Sequence, residues 1–130
     1  MPEKLKKRVL IIDDDPQYMK TIREWLKDDY RVSMANSGMQ AITWLASNKA
    51  DLVLLDYEMP TIKGSKVLEM LRSESSSSSI PVMFLTGKSD KEAIMEVLAL
   101  KPAGYLLKSI DKKTLLDTLD KFFVKQKYKN

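Results

Sequence analysis

The chain has 130 residues, a net charge of +4, and neither cysteine nor histidine. A single domain of this length can bury one core without disulfides; zinc-thiolate sites, histidine bases and a phosphohistidine on this chain are excluded. No apolar run approaches membrane-spanning length and no signal-type stretch follows Met1 to Arg8, so a cytoplasmic protein with no membrane partner is expected.

Val9-Leu10-Ile11-Ile12 is a short apolar run without helical period, which reads as a strand covered on both faces. It ends in Asp13-Asp14-Asp15. Asp15 before Pro16 is a helix start, an N-cap followed by proline at the first helical position. The helix carries Met19, Ile22, Trp25 and Leu26 on one face and fades at Lys27 to Asp29. Tyr30 to Ala35 alternates enough for a strand near an edge, and Ser37-Gly38 opens a helix with Ala41, Ile42, Leu45 and Ala46 inward. Leu52-Val53-Leu54-Leu55 is the central strand, ending in Asp56, and Pro60 and Gly64 bracket the turn after it. A helix from about Lys63 to Arg72 follows, with Val67, Leu68 and Leu71 inward. Ser73 to Ser79 is the one low-complexity segment and is expected to be a flexible loop, because serine-rich runs bury too little to order themselves.

Pro81 to Thr86 is the fourth strand; Ser89-Asp90-Lys91-Glu92 fits a capping box for a helix carrying Ile94, Val97 and Leu98. Pro102 and Gly104 lead into Tyr105-Leu106-Leu107, which ends at Lys108, and the last helix spans about Asp111 to Phe123 with Leu115, Leu116, Leu119, Phe122 and Phe123 inward. Strand and helix thus alternate five times. Such crossovers are right-handed and give a three-layer α/β sandwich around a parallel sheet. The basic residues gather at the two ends (Lys4, Lys6, Lys7, Arg8; Lys121, Lys125, Lys127, Lys129) and are read as solvated termini, not as a nucleic-acid surface.

The polar strand ends, Asp13-Asp14, Asp56, Thr86 and Lys108, lie at one edge of the sheet, the edge where open parallel sheets bind ligands. Clustered carboxylates raise one another's pKa unless a cation joins them. Oxygen ligands without histidine or cysteine select a hard ion, and few protein ligands favour Mg²⁺ over a caged Ca²⁺. A carboxylate beside such an ion, with a lysine and a threonine opposite, suits phosphoryl transfer to the carboxylate itself.

In four stretches the chain resembles the CheY-like receiver domain of two-component response regulators: Val9 to Pro16, Leu54 to Pro60 with Gly64, Leu85-Thr86-Gly87, and Gly104 to Lys108. The resemblance covers about Lys7 to Phe123 and implies a flavodoxin-like (βα)5 fold with strand order 2-1-3-4-5, a single domain over 1–130, and 124–130 as a tail or the start of a linker. By the same resemblance Asp56 accepts a phosphoryl group from a phosphohistidine on a sensor histidine kinase or phosphotransfer protein. Asp14 and Asp56 bind Mg²⁺ directly, Asp13 through water, and the backbone carbonyl of Glu58 adds a ligand. Lys108 pairs with phosphoryl oxygens, Thr86 moves to one of them, and Tyr105 swings inward. The fourth helix, fifth strand and fifth helix form the readout surface for an output domain or protein. The domain acts as a signalling phosphoacceptor, not a metabolic enzyme, and as a monomer or a weak, phosphorylation-dependent dimer.

The sequence departs from that pattern at Ser109, where proline is usual. A cis bond there would cost about 3 kcal/mol, so a trans bond, or a strained cis one, is expected and the aim of Lys108 is open. Glu58 and Lys88, each two residues beyond Asp56 and Thr86, flank the path of water and are expected to tune the lifetime of the phosphorylated state. A second reading is a haloacid-dehalogenase-like phosphatase, suggested by Asp56-x-Glu58; there the nucleophile follows the first strand, and no cap insertion exists here. A flavodoxin-type cofactor binder fits less well, because acids after the first strand would repel anionic FMN.

Overall fold

The computed structural model describes residues 5–87 and 91–128. The elements alternate as β1 (Lys7–Ile12), α1 (Pro16–Leu26), β2 (Tyr30–Ala35), α2 (Gly38–Leu45), β3 (Leu52–Asp56), α3 (Gly64–Ser73), β4 (Val82–Thr86), α4 (Lys91–Ala99), β5 (Gly104–Leu107) and α5 (Lys112–Lys127). The strands form one parallel sheet in the order β2-β1-β3-β4-β5, as the resemblance implies. Every residue of β3 and β4 is buried, which is what an unbroken apolar run in the middle of a parallel sheet requires.

Alternate residues of the strands feed two cores. Leu10, Ile12, Val53, Leu55 and Phe84 face the layer of α2, α3 and α4, with Val67, Leu71 and Val97. Val9, Ile11, Leu52, Leu54 and Leu85 face α1 and α5, with Ile22, Leu26, Leu115 and Leu119. Caps fall where the side chains provide them. Asp15 accepts from the amides of Gln17 and Tyr18 at 3.0 and 3.3 Å, Ser37 from Gln40 at 3.1 Å, and Asp111 from Thr114 at 2.7 Å.

Four local expectations are corrected. The last helix runs past its expected end near Phe123 and continues through Lys127. Leu98 points outward and is 57% exposed, because Ala93 and Val97 occupy the inner row of α4. Ala46 is the exposed C-cap of α2 and not a core residue. The serine-rich segment is ordered about Ser77, which is 1% exposed; its hydroxyl donates to the Leu71 carbonyl at 2.6 Å, and the Arg72 guanidinium donates to the Ile80 carbonyl at 2.8 Å. Side-chain hydrogen bonds to backbone do there what apolar burial could not. The capping box at Ser89 involves residues outside those described.

If Ser77 anchors this turn, Ser77→Ala lowers unfolding free energy by about 1–2 kcal/mol, the cost of leaving a buried carbonyl short of its donor. The exposed neighbour changed as Ser76→Ala stays within about 0.5 kcal/mol of the parent in urea unfolding.

Candidate functional site

The strand ends converge. β1 and β3 are neighbours in the sheet, and Asp13 follows the last residue of one while Asp56 is the last of the other. Asp13, Asp14 and Asp56 each offer a carboxylate oxygen within 4.8 Å of the other two. Asp13 and Asp56 are buried, at 0% and 1% exposure, and Asp14 is open to solvent. The loops hold the buried pair in place: Asp13 Oδ1 accepts from the Asp15 amide at 2.9 Å, and Asp56 Oδ1 from the Glu58 amide at 3.0 Å.

Lys108 closes the cluster. Its Nζ lies 2.8 Å from Asp13 Oδ2 and 3.3 Å from Asp56 Oδ2. Among the described residues this buried oxygen has no partner beyond that ammonium, which leaves it lone pairs for a further cation. Among the described residues every peptide bond is trans, that of Lys108 to Ser109 included, and the lysine reaches the acids all the same.

Burial raises the carboxyl of Asp56 to about 6, with the Asp13 charge adding to it and the Glu58 amide and Lys108 drawing it back. Burial also works against the Lys108 ammonium, but the two carboxylates outweigh it and its pKa rises. One ammonium therefore faces more negative charge than it can balance. A buried oxygen with unfilled lone pairs and an all-oxygen donor set fit a hard divalent cation.

The remaining sequence-predicted residues stand around this centre. Thr86 ends β4, is 1% exposed, and donates from Oγ1 to Glu58 Oε1 at 3.3 Å. Tyr105 lies opposite Phe84 in the β4–β5 register and is half-buried against the α2–α3–α4 core. Lys88 lies outside the described residues. Gly64 matters more than a turn residue: a Cβ there would stand 2.4 Å from the Asp56 carbonyl oxygen and 2.7 Å from Tyr57 Cα. Its absence lets α3 start against the backbone of Asp56, where the Gly64 amide donates to the Tyr57 carbonyl at 3.0 Å.

One neighbour escaped the sequence reading. Tyr18, on the first turn of α1, places its ring 4.8 Å from Lys108 Nζ and donates its hydroxyl to the Lys108 carbonyl at 3.4 Å. The available signal was an aromatic just after the Asp15-Pro16 helix start, within reach of the acids.

This chain belongs to the response regulator receiver domain family, whose model matches residues 9–120. It is 36% identical over 102 residues to a probable cyclic di-GMP phosphodiesterase of Vibrio cholerae, covering 78% of this chain and 23% of that protein, so it spans under a quarter of that relative's length. It is 28% identical over 118 residues to the chemotaxis protein CheY-3 of Vibrio cholerae, covering 89% of this chain and 91% of that one. The solved structure of the chemotaxis protein CheY4 of Vibrio cholerae superposes with a TM-score of 0.82 at 27% identity, covering 90% of this chain and 98% of that chain. The family is one of phosphoacceptor signalling domains. No helix among the described residues is long and apolar enough to cross a membrane.

The raised carboxyl of Asp56 sets a pH dependence. Below about pH 6 the proton competes with a cation for this oxygen, and above it the metal-free fold bears an extra unpaired charge. Mg²⁺ as probe should bind about tenfold more weakly at pH 5 than at pH 7.5, and should raise the unfolding temperature more at pH 7.5. Titration calorimetry and thermal unfolding at the two pH values measure both.

Proposed function

We propose that this domain takes a phosphoryl group onto Asp56 from a phosphohistidine of a sensor histidine kinase or phosphotransfer protein, with Mg²⁺ at the acidic cluster. The observation that carries this is the Lys108 ammonium 2.8 and 3.3 Å from the carboxylates of Asp13 and Asp56. That is a cation waiting beside a buried nucleophile.

Asp13, Asp14, Asp56 and the backbone carbonyl of Glu58 would hold the ion. When bound, it supplies positive charge that offsets the charge of the phosphoryl oxygens. The Asp56 oxygen attacks phosphorus in line; the phosphorus–nitrogen bond of the donor breaks and imidazole leaves. Asp13 stays in place through its bond to the Asp15 amide and keeps the cluster anionic. Lys108 exchanges its pairing with Asp56 for one with a phosphoryl oxygen, as a mobile point charge can.

Thr86 then leaves Glu58 and donates its hydroxyl to another phosphoryl oxygen, and Tyr105 follows into the vacated space. A long contact such as the 3.3 Å bond from Thr86 to Glu58 is cheap to exchange. The α4–β5–α5 face is the proposed readout, and the outward Met95, Leu98 and Leu107, exposed by 61%, 57% and 39%, give it apolar area for an output partner. Glu58, with Lys88, is proposed to set how fast water removes the phosphoryl group, and Glu58→Ala should then change the dephosphorylation rate.

Intact mass after incubation with acetyl phosphate and Mg²⁺ tests the core of this reading. The parent gains the mass of one phosphoryl group; Asp56→Asn gains none; Lys108→Ala loses at least about tenfold in uptake rate. Uptake by Asp56→Asn equal to the parent's would refute the assignment.

A further inference from the structure

Lysine is a poor fixed point. Its ammonium sits on a four-carbon stem with free rotation about each bond, and holding it in one place costs about 2 kcal/mol of rotamer entropy. Lys108 also stands just past the end of β5, in a turn. Its amide is tied down, donating to the Thr86 carbonyl at 2.8 Å. Ser109, next in the chain, gives the following peptide unit none of the stiffness of a proline ring.

Tyr18 holds both ends of this residue. Its ring lies 4.8 Å from the ammonium nitrogen, inside the range of cation–π attraction, and its hydroxyl donates, at a long 3.4 Å, to the backbone carbonyl. Tyr18 is itself fixed, because its amide donates to the Asp15 side chain that caps α1. The contacts form a closed ring: Asp13 accepts from the Asp15 amide, Asp15 from the Tyr18 amide, Lys108 from the Tyr18 hydroxyl, and the Lys108 ammonium returns to Asp13. Burial pushes the Tyr18 hydroxyl up to about 12, so it remains a donor throughout the working pH range.

We propose that Tyr18 is a positioning residue for Lys108, its ring and hydroxyl fixing where the ammonium stands when the phosphoryl group arrives. This rests on the phosphoacceptor function proposed above. Tyr18 touches no reacting atom; it acts through the lysine. The ring does most of the work, since the hydroxyl bond is long.

The test compares the parent with Tyr18→Phe, which keeps the ring, and Tyr18→Leu, which keeps only bulk. Three quantities are measured: the maximal rate of phosphoryl uptake from acetyl phosphate at saturating Mg²⁺, the affinity for Mg²⁺, and the proton shift of the Lys108 ε-methylene, assigned with Lys108→Met. Tyr18→Leu should lower the maximal rate about three- to tenfold while Mg²⁺ affinity stays within about twofold of the parent, and Tyr18→Phe should keep the rate within about twofold. The ε-methylene protons should be shifted upfield by the ring in the parent and in Tyr18→Phe, and return to the ordinary lysine position in Tyr18→Leu. An ε-methylene shift equal in parent and Tyr18→Leu overturns the proposal. So does an unchanged rate in Tyr18→Leu, or a rate that falls together with Mg²⁺ affinity. A parent that takes up no phosphoryl group overturns the function beneath it as well, and that result appears before any variant is compared.

Discussion

One ammonium holds together carboxylates that would otherwise drive each other apart. Asp13 and Asp56 are both buried, and the only described cation that reaches them is Lys108. Removing that partner would leave like charges in a medium of low polarity, where such a loss costs about 3–5 kcal/mol. The balance is incomplete: two buried carboxylates share one ammonium, and a third, that of Asp14, stands beside them. The remaining negative charge makes the centre receptive to a further cation, and the carboxyl of Asp56 is raised first by burial and then by the Asp13 charge. A fully neutralised triad would be more stable and would do nothing.

The sheet determines who can take part. Neighbouring strands stand about 4.8 Å apart, so the end of β5 is about 10 Å from the end of β3, with β4 between. Only a long side chain crosses that gap. Lysine does so, and the residue it must cross at the end of β4 is the compact Thr86, whose carbonyl also receives the Lys108 amide. On the other side, β1 and β3 are adjacent, and short aspartates suffice. The order of the strands thus assigns reach: acids where the strands touch, a flexible cation where they do not.

Much of this was legible in the chain itself. Unbroken apolar runs marked β1, β3 and β4, and their polar terminators fell at one edge because parallel strands all end on the same side. Asp15 announced its helix through capping chemistry that is local in sequence, and the structure shows Ser37 and Asp111 capping theirs in the same way. What escaped was set by contacts distant along the chain. The order of the serine segment depends on one hydroxyl meeting Leu71, and composition alone carries no record of that. The outward turn of Leu98 follows from which helical row meets the sheet, where Ala93 and Val97 fit more closely. Tyr18 meets Lys108 across 90 positions, and an amphipathic helix gives no sign that an aromatic at the edge of its core face will also cover a charge.

The burial of the sheet also divides the domain by stiffness. β3 and the apolar part of β1 are enclosed, and they carry Asp56 and lead into Asp13. At the far edge β5 is half-buried or exposed along its length, and it carries Tyr105 and leads into Lys108. Segments with less buried surface open and shift at lower free-energy cost. The groups proposed to receive phosphorus therefore sit on the part of the sheet least able to move. Those proposed to answer it sit on the part most able to do so, with Thr86 at the boundary. A local change at Asp56 need not deform the core to be felt outside. In the proposed switch it needs only to withdraw one cation and one hydroxyl from their present partners, beside an edge strand that is less buried than the centre of the sheet.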